Sequence, residues 1–128
     1  MSERISILVI EDEEHVRDIL KYNLETDGFK VFLAEDGRTG LELTQSVSFD
    51  AILLDWMMPE MDGLEVLAEL REDEHTKNTP VFMLTAKDMP GDVGQAILEG
   101  VNGYFTKPYD PAKLGPTLRR KLKKLVRN

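Results

Sequence analysis

The stretch 50-DAILLDWMMPEMDG-63 decides the fold. Its core, 51-AILLD-55, is apolar at successive residues until it stops on Asp55. A strand without polar alternation belongs between two covering layers of helix, and in such sheets chemistry is exposed at the strand carboxyl ends. Toward the amino terminus, 5-ISILVI-10 is equally apolar and runs directly into Glu11 and Asp12. In the other direction, Thr85 closes 80-PVFMLT-85, and Lys107 follows 102-NGYFT-106. Acids, a hydroxyl and an amine gathered at one edge of a parallel sheet make a place to hold Mg2+ and a phosphoryl group.

Between these runs the pattern turns amphipathic. Val16, Ile19, Leu20 and Leu24 recur at helical spacing, and Gly28 follows as a helix stop. A short strand, 30-KVFLA-34, precedes Asp36, which is placed to cap a helix carrying Leu41 and Val47. Leu64, Leu67, Ala68 and Leu70 predict a helix over about 64–71. The next helix, at roughly 92–99, is expected to be weak, because Gly91, Gly94 and Gly100 crowd it at about 1 kcal/mol per interior glycine. Asp110-Pro111 reads as a cap followed by proline at the first helical position. Leu114, Leu118, Leu122 and Leu125 then give the last helix one apolar face.

This alternation predicts an α/β fold: an open, doubly wound, five-stranded parallel sheet with five helices, in a single domain over residues 1–128. The order 2-1-3-4-5, known for flavodoxin-like sheets, sets the first and third strands side by side and so collects Glu11, Asp12 and Asp55.

The chain has 128 residues and no cysteine, which excludes disulfides and thiolate-bound zinc. No apolar stretch approaches the ~18 residues of a membrane helix, and the amino terminus lacks a signal-peptide pattern, so a cytoplasmic protein without membrane contact is expected. Residues 1–112 hold all 24 acids against 9 bases, a net of −15, whereas residues 113–128 hold 7 bases and no acid. The basic helix complements its own dipole and the acidic body. It is one helix without a helix-turn-helix around it, so direct nucleic-acid binding is not expected.

Three clustered carboxylates repel one another and raise at least one pKa unless a cation intervenes. Asp12 and Asp55 supply oxygens for Mg2+, the Met57 carbonyl is placed to add another, and Glu11 is expected to act through a water or a hydrogen bond. Asp55 is the expected nucleophile, its carboxylate becoming an acyl phosphate. Lys107 and the Thr85 hydroxyl are expected on the phosphoryl oxygens, with backbone N–H groups at Trp56, Met57 and Ala86 completing the cradle. Pro108 restricts the backbone after Lys107, and a cis bond there is expected to turn the lysine inward.

The set 11-ED-12, 52-ILLDWMMPEMDG-63, 84-LTA-86 and 104-YFTKPY-109 resembles the receiver domain of bacterial two-component response regulators, over essentially the whole chain. The resemblance implies a flavodoxin-like fold and phosphorylation of Asp55 by a sensor histidine kinase or a histidine phosphotransfer protein. It implies an acidic Mg2+ pocket of Glu11, Asp12, Asp55 and the Met57 carbonyl, with Thr85 and Tyr104 as switch residues and Lys107 as the phosphate-contacting lysine. Pro59 and Gly63 match the loop after the phosphoacceptor. Output is implied through an unidentified downstream protein or a fused output domain.

Two family-variable positions bear on phosphate lifetime. Met57 is apolar where a polar group often stands, and Lys87 adds charge, so hydrolysis slower than in fast-cycling chemotaxis-type receivers is expected. Winged-helix members dimerise with acids before the tyrosine and early in the last helix. Asn102, Gly103 and Lys113 occupy those places here, so a monomer, or a phosphorylation-dependent dimer paired in another way, is expected.

Other classes fit less well. An aspartate-nucleophile phosphatase needs a second acid two residues beyond Asp55, where Met57 stands. A flavin carrier needs a phosphate loop after the first strand, where 11-EDEEH-15 repels phosphate.

Overall fold

The computed structural model describes residues 4–56, 58, 63–86 and 100–127. Side chains of a strand alternate between faces, so a run that is apolar at both parities requires cover on both sides. The strand Ala51–Asp55, β3, is buried at every residue. It lies at the centre of a parallel sheet with β1 (Ser6–Ile10), β2 (Lys30–Ala34), β4 (Val81–Ala86) and β5 (Gly103–Lys107), in the order β2-β1-β3-β4-β5.

Four helices cover the sheet: α1 (Glu14–Thr26), α2 (Gly37–Ser46), α3 (Gly63–Glu72) and α4 (Pro111–Arg127). On one face Leu8, Ile10, Ile52, Leu54 and Met83 pack with Val66, Leu67 and Leu70 of α3. On the other, Ile7, Val9, Leu53, Phe82 and Leu84 meet Leu20 and Leu24 of α1 and Leu114, Leu118 and Leu122 of α4. Fully burying one such aliphatic side chain is worth roughly 1.5–3 kcal/mol.

The helix count corrects the expectation of five. Four stand among the described residues, and the weak helix placed at roughly 92–99 falls outside them. In the sequence, Gly91 and Gly94 lower the helix propensity of that stretch.

The expected caps are present. Asp36 accepts the Thr39 N–H at 2.7 Å, which holds its carboxyl below the usual range, and Asp110 accepts the Ala112 N–H at 3.0 Å. Gly28 ends α1 at φ +93°. Leu125 departs from expectation, being exposed while the other three leucines of its stripe are buried. Leu125 lies in the last turn of the 17-residue helix, beyond the three leucines that meet the core.

Arg71, at the end of α3, fastens the amino ends of β4 and β5. Its guanidinium donates to the carbonyls of Thr79 (2.8 Å) and Gly100 (2.9 Å) and to Asn102 Oδ1 (3.1 Å). Asn102 Oδ1 also accepts the Val81 N–H at 2.8 Å. The start of β5 is thereby locked against β4, which carries Thr85.

Candidate functional site

Chain direction brings the acids together. β1 and β3 are parallel neighbours, with Ile10 beside Leu54, so Glu11 and Asp12 emerge next to Asp55. One oxygen from each of Glu11, Asp12 and Asp55 lies within 4.8 Å of the other two. Glu11 and Asp55 are only 2 % exposed, whereas Asp12 is half-buried.

Glu11 carries the electrostatic burden. Its Oε2 accepts the Glu13 N–H at 3.1 Å, but Oε1 is buried with no hydrogen-bond partner among the described residues. Burial first, and the neighbouring Asp55 charge second, push the Glu11 carboxyl up to about 7. A buried oxygen without a partner, facing two further carboxylates, is the donor set that a hard divalent cation satisfies. The residues fit such an ion.

Lys107 closes the other side. Its Nζ donates to Asp55 Oδ1 at 3.0 Å, and the Lys107–Pro108 bond is cis. Thr85 is buried one residue past Leu84, which pairs with Asp55 across the β3–β4 ladder. Tyr104 points its ring outward, 50 % exposed. Met57, Pro59 and Lys87 lie outside the described residues.

One expected cradle donor is already engaged. The Trp56 N–H bonds to the Leu84 carbonyl at 3.0 Å, because the β3–β4 ladder runs one residue beyond Asp55. The Trp56 ring is buried in the core beside the site. The loop after Asp55 closes where Gly63 donates its N–H to the Trp56 carbonyl at 2.9 Å. A Cβ on Gly63 would stand 2.9 Å from Trp56 Cα and 3.1 Å from the Asp55 carbonyl, so the approach requires glycine.

Two contributors escaped the sequence reading. Arg17 donates to the carbonyls of Glu11 (2.9 Å) and Asp12 (3.0 Å), fixing the acidic turn from α1. Tyr109 has its hydroxyl pushed up to about 12 by burial and then by the charges of Glu11 and Asp55, which places it within their field. Its signal was its position two residues after Lys107. Arg17 had none beyond lying within two helical turns of the acids.

Comparison with known proteins bears on this geometry. The family model for the response regulator receiver domain matches residues 7–119, and the chain belongs to that family. It is 37% identical over 118 residues to the alkaline phosphatase synthesis transcriptional regulatory protein PhoP of Bacillus subtilis, covering 92% of this chain and 48% of that protein. The chain thus spans about half the length of the curated relatives it matches.

Among solved structures, chemotaxis protein CheY4 of Vibrio cholerae superposes with a TM-score of 0.86 at 32% identity, covering 92% of this chain and 98% of that one. The receiver domain of sensor histidine kinase PA1611 from Pseudomonas aeruginosa gives a TM-score of 0.84 at 30% identity, covering 94% of this chain and 99% of that one. That protein holds a magnesium ion coordinated in its active-site cleft. Family and site together define a phosphoacceptor signalling module rather than a conventional enzyme. No helix among the described residues is long and apolar enough to cross a membrane.

Proposed function

We propose that residues 1–128 form one receiver domain in which Asp55 takes a phosphoryl group from a phosphohistidine on a sensor kinase or a phosphotransfer protein. The observation that carries this reading is the convergence of Glu11, Asp12 and Asp55 within 4.8 Å around a buried, unpartnered Glu11 oxygen. Mg2+ would be held by Asp12, Asp55 and the Met57 carbonyl, with Glu11 supporting from behind. Bound there, it supplies charge neutralisation to the phosphoryl oxygens.

An Asp55 carboxylate oxygen attacks phosphorus in line. The new O–P bond forms as the P–N bond to the donor imidazole breaks, and the electron pair returns to that nitrogen. Lys107, already 3.0 Å from Asp55, meets the arriving phosphoryl oxygens with its ammonium, and Thr85 donates its hydroxyl hydrogen to one of them. Movement of Thr85 toward phosphate frees space for Tyr104 to turn inward from its exposed position. That change remodels the surface offered to a downstream protein or a fused output domain. Met57 and Lys87 set the lifetime of the acyl phosphate. The protein works in the cytoplasm, as a monomer or a phosphorylation-dependent dimer.

Intact-mass measurement after incubation with Mg2+ and acetyl phosphate tests the assignment. Wild type is expected to gain a labile adduct of about 80 Da, one phosphoryl group, and Asp55→Asn to gain none. An adduct retained by Asp55→Asn would overturn it.

A further inference from the structure

Arg17 reaches the acidic turn and takes none of its carboxylates. A guanidinium beside an acidic cluster ordinarily forks onto a carboxylate. Arg17 forms no ion pair among the described residues; its Nη1 donates instead to the carbonyls of Glu11 (2.9 Å) and Asp12 (3.0 Å). The three acids are therefore left to a cation from outside the chain.

The reach follows from the local fold. β1 ends at Ile10 and α1 begins at Glu14, so residues 11–13 make the whole turn from sheet to helix. Glu13 caps that helix without a side-chain bond. Helical side chains lean toward the amino end, which carries Arg17, the fourth residue of α1, back over the turn.

A peptide unit is a rigid trans plane whose C=O and N–H point opposite ways. The unit joining Asp12 to Glu13 has Arg17 on its carbonyl at 3.0 Å and Glu11 Oε2 on its N–H at 3.1 Å. Fixing one end aims the other. The guanidinium charge also polarises the unit, which strengthens its N–H as a donor. With Oε2 held in this way, Oε1 is the Glu11 oxygen left buried with no hydrogen-bond partner among the described residues.

We propose that Arg17 is a positioning residue: through the peptide unit between Asp12 and Glu13 it orients the Glu11 carboxylate and so sets the Mg2+ affinity of the acidic cluster. The inference rests on the Mg2+ reading of the site. It gives Arg17 an effect opposite in sign to that of its charge. A nearby positive charge repels Mg2+, so charge alone predicts tighter binding once the guanidinium is removed. Loss of positioning predicts weaker binding.

The test uses the full chain and two variants. Arg17→Met keeps the apolar stem and removes every donor. Arg17→Lys keeps a charge and a donor on a shorter arm, and serves where the methionine variant does not fold. In protein stripped of Mg2+, the Glu13 amide proton is expected to move upfield in Arg17→Met as it loses its carboxylate acceptor, and to move less far in Arg17→Lys. Mg2+ affinity, read from Trp56 emission, is expected to weaken about tenfold in Arg17→Met. The same substitution made in Glu11→Gln should weaken it by less than about twofold, because the carboxylate that Arg17 orients is gone. A Glu13 amide unmoved in both variants would overturn the proposal. So would tighter Mg2+ binding by Arg17→Met, or an equal loss in the two backgrounds. A wild type indifferent to Mg2+ would instead overturn the reading of the site on which the proposal rests.

Discussion

At the amino edge of the sheet the polar groups meet partners, whereas at the carboxyl edge like charges face one another. On the amino side Asp50 accepts the Ser6 N–H at 2.8 Å, Thr76 donates to the Leu70 carbonyl at 2.6 Å, and Arg71 ties together the two loop segments that lead into β4 and β5. On the carboxyl side Glu11, Asp12 and Asp55 crowd one spot, and a Glu11 oxygen is left without a partner among the described residues. The same strands end in both places. Stability is therefore built at one edge, and a cost is held at the other, where a cation and a phosphoryl group would relieve it.

The comparison implies opposite signs for substitutions at the two edges. The largest effect is expected from Arg71→Met, which removes the donor to the carbonyls of Thr79 and Gly100 and one of the two donors to the Asn102 oxygen. Urea unfolding should show a loss on the order of 2–4 kcal/mol, with Mg2+ affinity little changed. A neutral result would break the claim that the amino edge is where polar bonding stabilises the fold.

At the carboxyl edge, Glu11→Gln should stabilise the metal-free protein, by roughly 1–2 kcal/mol at pH 8 in the presence of a chelator. The sign follows from the raised carboxyl, 4.5 when unfolded and about 7 when folded. The native state holds its proton more tightly, so the Glu11 contribution is intact below about pH 4.5, fades as pH rises, and is lost above about 7. Wild type should therefore lose stability relative to Glu11→Gln between pH 5 and pH 8, roughly the window between the two pKa values, and saturating Mg2+ should narrow the gap. Parallel pH profiles for the two proteins would remove Glu11 as the seat of the cost.

The smallest effect belongs to a residue outside both edges' bonding. Tyr104→Phe keeps the exposed ring, and its unfolding free energy should stay within about 0.5 kcal/mol of wild type. A larger loss would mean that its hydroxyl is already engaged before phosphorylation.

Much of this was legible in the residues. An unbroken apolar run ending on Asp55 marked a strand buried on both faces, whereas its neighbour followed from the strand order known for flavodoxin-like sheets and not from these residues alone. Asp36 and Asp110-Pro111 marked helix starts through local bonding that sequence spacing encodes. What escaped was non-local. Arg71 reads as the last residue of an amphipathic helix, and its partners lie up to 31 residues away in loops whose carbonyls carry no sequence signature. The Trp56 N–H was misjudged for a related reason, since how far a ladder continues depends on the partner strand. Leu125 kept the heptad-like spacing of its neighbours, yet it stands exposed in the last turn of α4.

Trp56 is the sole tryptophan and is buried in the core beside Asp55, so its emission reports directly on the acidic cluster. A Mg2+ titration of wild type, repeated with Asp12→Asn, should give a saturable single-site change in emission that weakens about tenfold or more in the variant. An emission indifferent to Mg2+, or identical curves for the two proteins, would contradict a divalent-cation site built from these three carboxylates.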